Sequence, residues 1–212
     1  MIRSPRESGF TLIEMITVIA VIVILVGLVL VVNGLIQHNG PAARAVLEIR
    51  TLSSACEAYK TDNGGYPQDT SQSSVTNTLD PRANLTPSSY YQACGVLYTA
   101  LSGMTNVGGV MKQTATNYAP EFFKAARLAG GPGSSNSTYM VDPWGNSYGY
   151  STAGLGLQQE YQAALLTNPQ ATMPAQNTSG TNGYNTTFDL WSTGGTTGTN
   201  GSVDTAKWVK NW

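Results

Sequence analysis

Apolar and polar positions divide the chain into three stretches. Residues 10–32 are apolar almost throughout, interrupted by Thr11, Glu14, Thr17 and Gly27. Such a run predicts a helix of roughly 34 Å at about 1.5 Å per residue, enough to cross a hydrocarbon core of about 30 Å. After Pro41 the pattern narrows to one stripe. Ala45, Ile49, Leu52, Cys56 and Tyr59 recur at four-three-four-three spacing, and Arg44, Glu48, Glu57 and Lys60 lie mostly off it. This predicts an amphipathic helix over 34–60 that needs a partner surface, most simply a sheet. Asn33-Gly34 and Asn39-Gly40-Pro41 separate the two halves, and proline and glycine there predict a kink or a melted turn, or mark a membrane exit. Asn63-Gly64-Gly65 followed by Tyr66-Pro67 is a helix stop and turn. The rest is rich in Gly, Ser, Thr and Asn, with short helical patterns at 90–101 and around 120–129 and a helical turn at 158–166. The expected class is α+β, a long N-terminal helix on a small antiparallel sheet with extended loop insertions.

The nine residues before the apolar run, MIRSPRESG, carry Arg3 and Arg6 and no apolar core of their own. Positive charge on that side keeps the amino terminus cytoplasmic and makes the helix a single inner-membrane pass. In a secretory signal the small-residue cleavage site follows the apolar region. Here the small-residue junction, Ser8-Gly9, precedes it, so cleavage removes the charges and leaves the helix attached. Glu14 lies inside the run, where an acidic side chain costs roughly 2.5–3.5 kcal/mol and usually has a partner or a function. Cleavage before Phe10 creates an ammonium group about one turn away, on the same chain or on a neighbour. The alternative is a carboxylate at the membrane edge that reaches water.

Charged residues form only 11% of the 212 residues, and the formal net charge is −1. The basic residues are scattered, so no electrostatic footprint for nucleic acid exists. Outside the membrane segment about 160–170 residues remain, one soluble domain. Cys56 and Cys94 both fall outside the cytoplasm in this topology, where a disulfide persists. Either they form a bridge worth on the order of 3–4 kcal/mol or they are two buried thiols, since Cys56 is on the apolar stripe. Two cysteines and one histidine make no zinc cluster. His38 adjoins the membrane exit and Asp142 suits a turn, so no nucleophile–base set arises, and the chain is expected not to be an enzyme. The glycine runs at 130–135 and 194–201 lack the Gly-Lys-Ser/Thr ending of a phosphate loop.

Gly9-Phe10-Thr11-Leu12-Ile13-Glu14 with the apolar run behind it closely resembles the class III signal of type IV pilins and type II secretion pseudopilins. The resemblance implies a prepilin peptidase that cuts Gly9–Phe10 and methylates Phe10, with Glu14 as the assembly residue. Farther on, 59–67 (Tyr-Lys-Thr-Asp-Asn-Gly-Gly-Tyr-Pro), Asp142-Pro143-Trp144-Gly145-Asn146, 188–192 and Asn211-Trp212 resemble, in order, motifs of the major pseudopilin of type II secretion. That implies a leader at 1–9, a membrane and assembly helix at 10–33, a stem at 34–60 and a periplasmic or extracellular pilin domain at 61–212. Its insertions fall at about 68–138 and 154–183 and decorate the filament exterior.

The family's calcium loop falls at 192–204, where Asp204 is the lone carboxylate and Asp189 precedes it on the expected strand. These two are the calcium candidates. Calcium takes six to eight oxygens, commonly several carboxylates, so the stretch also reads as a glycine-rich loop anchored by Trp208 and Trp212, with no cofactor. The implied partners are the prepilin peptidase, further copies of the chain in a helical filament, minor pseudopilins and an inner-membrane assembly platform. The implied function is a secretion pseudopilus subunit. The alternatives are a type IV pilin for adhesion, motility or DNA uptake, and a surface- or sugar-binding module tethered by the helix.

Overall fold

The computed structural model describes residues 11–69, 75–81, 87–108, 110–130, 138–172, 183–196 and 205–212, with backbone but not side chains described at 29–39 and 130. The first helix, α1, is Leu12–Asn63 and runs on through Pro41. No melted turn forms, which corrects the expectation at 33–41. A proline removes one intrahelical N–H bond, and the turns on either side carry the helix past it. The chain divides into two compact units at Pro41 and Ala42. The far end of α1 is where the sequence put the stop. Gly64 takes φ +78° and donates its N–H to Lys60 O at 2.8 Å, the left-handed cap that glycine adopts without a side-chain clash.

In the second unit, Ala45, Ile49, Leu52 and Cys56 are buried, Ala55 joins them, and Tyr59 is half-buried, as the periodicity requires. Their partner surface has two parts. One is helix α3, Tyr91–Ser102, whose Cys94, Leu97, Tyr98 and Leu101 enter the same core. The other is sheet: Met140, Tyr148, Tyr150, Phe188 and Leu190 complete the cluster. The segment expected to be a decorating insertion therefore supplies a central helix. The helical pattern expected at 90–101 forms there, and it lies in the core.

Strands β1, Met104–Val107, and β2, Val110–Gln113, form a hairpin. Helix α4 covers only Pro120–Ala125, with Pro120 in its first turn, and β3, Arg127–Gly130, follows it. The helix expected to reach 129 is cut short because β4, Thr138–Val141, pairs with β3 from Arg127↔Val141 to Gly130↔Thr138. Helix α5, Ala153–Thr167, is longer than the expected turn. A three-stranded antiparallel sheet has the order β5 (Gly149–Ser151), β6 (Asp189–Ser192), β7 (Val209–Lys210). The described chain is thus α+β with small antiparallel sheets, compatible with a pilin fold.

Polar groups lock these pieces together. Asp142, fully buried, accepts from the N–H groups of Trp144 (3.0 Å) and Asn146 (2.8 Å) and from Ser192 Oγ (2.5 Å). It is the turn former the sequence suggested. Burial raises its carboxyl above the ordinary aspartate range, against those donors, which pull it down. Glu48 accepts from Arg44 Nε at 2.7 Å and from the Tyr148 hydroxyl, which ties α1 to the strand that follows the turn. Burial, then Glu48, hold the Tyr148 phenol well above its usual range. The first region expected as a loop insertion is bonded to the residue that precedes α5. Short helix α2, Val75–Thr78, offers Asn77 Oδ1 to Thr152 Oγ1 at 2.5 Å, and Thr76 O accepts from Thr152 N at 2.8 Å.

Candidate assembly and processing segment

The start of α1 is built by two residues. Thr11 precedes the first helical residue, and its hydroxyl lies 3.4 Å from the Glu14 N–H. Glu14 reaches back, and its Oε2 accepts from Thr11 N (2.8 Å) and from Thr11 Oγ1 (2.7 Å). This is a capping box, in which the side chains of the cap residue and of the third helical residue satisfy each other's backbone donors. The signal for it, Thr-x-x-Glu ahead of an apolar run, stands in the sequence. A helix amino terminus also carries partial positive charge, so the carboxylate is electrostatically suited to this turn.

Behind the cap the helix is bare on every side. Val21, Ile22, Val23, Ile24, Leu25 and Val26 are consecutive, and each is between 52% and 64% exposed. At about 100° per residue, six consecutive positions sample the whole circumference, so no polar face exists. Six branched aliphatic side chains gain on the order of 10 kcal/mol when covered. A helix apolar all round needs either lipid or other apolar helices about it. Among the described residues, no helix is long and apolar enough to cross a membrane. Residue 10 and the side chains at 29–32, the two ends of the apolar run, lie outside the described residues.

The remaining site residues divide as follows. Gly9 and Phe10 lie outside the described residues, as does Asp204. Of the two alternatives for Cys56 and Cys94, the structure holds two free buried thiols. Burial pushes both thiols up, Cys94 to about 11, and Cys94 donates to Met140 O at 3.4 Å. Neither carries thiolate at neutral pH to serve as nucleophile or ligand. Asp189 is buried on β6, with Oδ2 accepting from Tyr184 N (2.7 Å) and Oδ1 from Asn185 N (2.8 Å). Its carboxylate closes the preceding turn, and among the described residues no group of three or more His, Cys, Asp or Glu is gathered for a metal.

Asn211, part of the Asn211-Trp212 motif, bonds to β6 through its side chain. Asn211 Oδ1 accepts from Leu190 N at 2.9 Å, and its Nδ2 donates to Phe188 O at 3.2 Å, extending the edge of β6. Trp212 stacks on Tyr184 with ring centroids 4.4 Å apart. The Asn185 amide donates to Phe188 O at 3.0 Å.

No curated protein and no solved structure matches the chain. A family model does match at the amino terminus: the prokaryotic N-terminal methylation motif, over residues 4–30. That span takes in the basic leader, the Gly9–Phe10 junction, the Thr11–Glu14 cap and most of the apolar run. Over this segment the chain carries a class III signal and is type IV pilin-like, which marks it for prepilin-peptidase processing.

Proposed function

We propose that the chain is a structural subunit of a type II secretion pseudopilus. It is held in the inner membrane by residues 10–33 until the peptidase cuts Gly9–Phe10. It then enters a helical filament whose core is made of α1 helices. The observation that carries this reading is the all-round apolar surface at 21–26 directly behind the Thr11–Glu14 cap. Lipid covers that surface before assembly and neighbouring helices cover it afterwards, so transfer costs little apolar exposure. The subunit catalyses nothing and is itself the substrate of processing. Minor pseudopilins and an assembly platform are its partners in this reading, and it needs no cofactor.

The choice of pseudopilus over type IV pilus rests on distal residues. Asp142 and Gly145 form the Asp-Pro-Trp-Gly turn, with Gly145 at φ +89°, and Asn211-Trp212 clamps the last strand. Both features resemble the major pseudopilin. Deleting the coding sequence is expected to abolish export of secreted proteins across the outer envelope and to leave surface motility intact. Loss of motility with export intact would replace the pseudopilus with a type IV pilus.

A further inference from the structure

Within the second unit an open groove of about 630 Å³ runs between α1 and the last strand, β7. That volume lies in the range of small-ligand sites, about 300–1,000 Å³. Its strand wall is a sheet edge, because β7 is outermost in the order β5-β6-β7. The register fixes which backbone groups that edge offers. Asn211 N donates to Leu190 O at 3.1 Å, so 190 and 211 form a hydrogen-bonded pair. The next pair, Trp191↔Lys210, is therefore of the non-bonded kind, and Lys210 turns its N–H and C=O away from β6. No bond to either group is found among the described residues.

The side chains add charge and donors to that edge. Arg50 and Lys210 are the charged residues of the described walls, and neither is in an ion pair among the described residues. Arg44 and Lys124, by contrast, are each matched to a glutamate. Lys210 Nζ lies over the Trp212 ring, 5.2 Å from its centroid, which holds the ammonium beside the groove. Ser53 follows Arg50 by three residues, so the two share one face of α1. Two buried donors in the walls, Ser53 Oγ and Trp212 Nε1, have no hydrogen-bond partner. A buried donor in that condition is destabilising until an acceptor arrives. Val46, Ile49 and Val209 supply the apolar floor.

An open strand edge, an apolar floor and unpaired cations together suit one occupant. A main chain laid along β7 bonds to Lys210 through the N–H and C=O of one of its own residues, as added strands do. A terminal carboxylate matches the planar fork of Arg50, and the last side chain covers the floor. A small anion would use the cations and leave the edge open. A hydrocarbon chain would cover the floor and leave the cations bare. We propose that this groove binds the carboxyl-terminal end of an extended peptide, with the Lys210 main chain as pairing edge and Arg50 as carboxylate anchor. The site gives the subunit a docking point for the tail of a partner protein. It uses no residue of the segment at 11–28, so the two readings fail independently.

The test uses the full chain in a zwitterionic detergent, labelled with 15N at lysine and tryptophan. The tripeptide acetyl-Ala-Val-Leu is titrated as the free acid and, separately, as the carboxamide. The free acid is expected to shift the Lys210 amide and the Trp212 indole N–H saturably, with a Kd near the millimolar range, and to leave the Trp144 indole unmoved. The carboxamide is expected to bind about tenfold more weakly or worse. Arg50→Gln, with an unchanged circular dichroism spectrum and melting midpoint, is expected to show the same loss toward the free acid. Lys210→Pro removes the outward N–H and keeps the anchor, and a comparable loss is expected at the Trp212 indole. The proposal is overturned if neither signal moves up to about 20 mM peptide, well above a millimolar Kd. It is overturned equally if acid and carboxamide bind alike, if the variants bind as the parent does, or if acetate moves both signals as far as the peptide does.

Discussion

Glu14→Gln is expected to stop filament incorporation as completely as Glu14→Ala, with at least about a tenfold loss, while both proteins still enter the membrane. The two substitutions separate two jobs. Glutamine at the third helical position still completes a capping box, so the Thr11 donors keep a partner and the start of α1 is preserved. What glutamine lacks is the charge. On the proposed reading, that charge meets the ammonium group made at Phe10 in the filament, and a hydrogen bond to a charged partner is worth about 1.5–3 kcal/mol. That range corresponds to a factor of roughly 10 to 100 in incorporation. Membrane entry should improve slightly, because the variants no longer carry an acidic group into lipid. Thr11→Val is the complementary case. It weakens the cap by about 1 kcal/mol and keeps the carboxylate, so it should assemble at close to the normal level. Quantifying subunits in sheared filaments against the membrane pool reads all three. Normal assembly of Glu14→Gln would reduce Glu14 to a capping residue.

The largest effect on folding is expected at Gly149. Gly149 and Trp191 are direct cross-strand partners in the β5–β6 pair, and the indole lies over the glycine. A Cβ on residue 149 would stand 2.0 Å from a ring carbon. The ring has nowhere to go. Trp191 is fully buried, with Tyr90 edge-on at 5.1 Å and Trp208 stacked at 6.3 Å. Gly149→Ala should therefore cost about 3 kcal/mol, the upper part of the overpacking range, or more. For a domain of this size that lowers the melting midpoint by roughly 6–12 °C. Gly156→Ala is the control, because in α5 its Cβ would have only the Asn77 side chain nearby, at 3.8 Å. Alanine there should leave the midpoint unchanged or raise it, since glycine is the poorer helix former by about 1 kcal/mol. Equal midpoints for the two variants, measured by near-ultraviolet circular dichroism, would mean the indole does not sit where the structure has it.

The parts of this molecule that were legible in advance are those with local causes. The buried stripe from Ala45 to Cys56 follows from side-chain period alone. Gly64 ends the helix because the left-handed conformation favours glycine, and Asp142 makes its turn through its own neighbours. The misreadings have non-local causes. Arg127–Gly130 has no strand character of its own and becomes β3 because β4 supplies its hydrogen bonds. Helix α3 was assigned to an exterior insertion because its polar flanks dominate the composition, yet Leu97 and Leu101 are fully buried against α1 and the sheet. Asn211 belongs to a terminal motif, but its side chain finds Leu190 N and Phe188 O only because β7 pairs with β6. At the amino terminus the charge of Glu14 was evident and its capping bond to Thr11 was not, although the spacing for it was present.

The central claim, a chain processed at Gly9–Phe10 and kept by its apolar helix for assembly, is tested most directly by mass spectrometry of the amino-terminal peptide of the mature protein from its native cell. The expected peptide begins at Phe10 and carries one added methyl group on its amine. A mature chain that still begins at Met1, or that begins beyond Val32, would contradict the account.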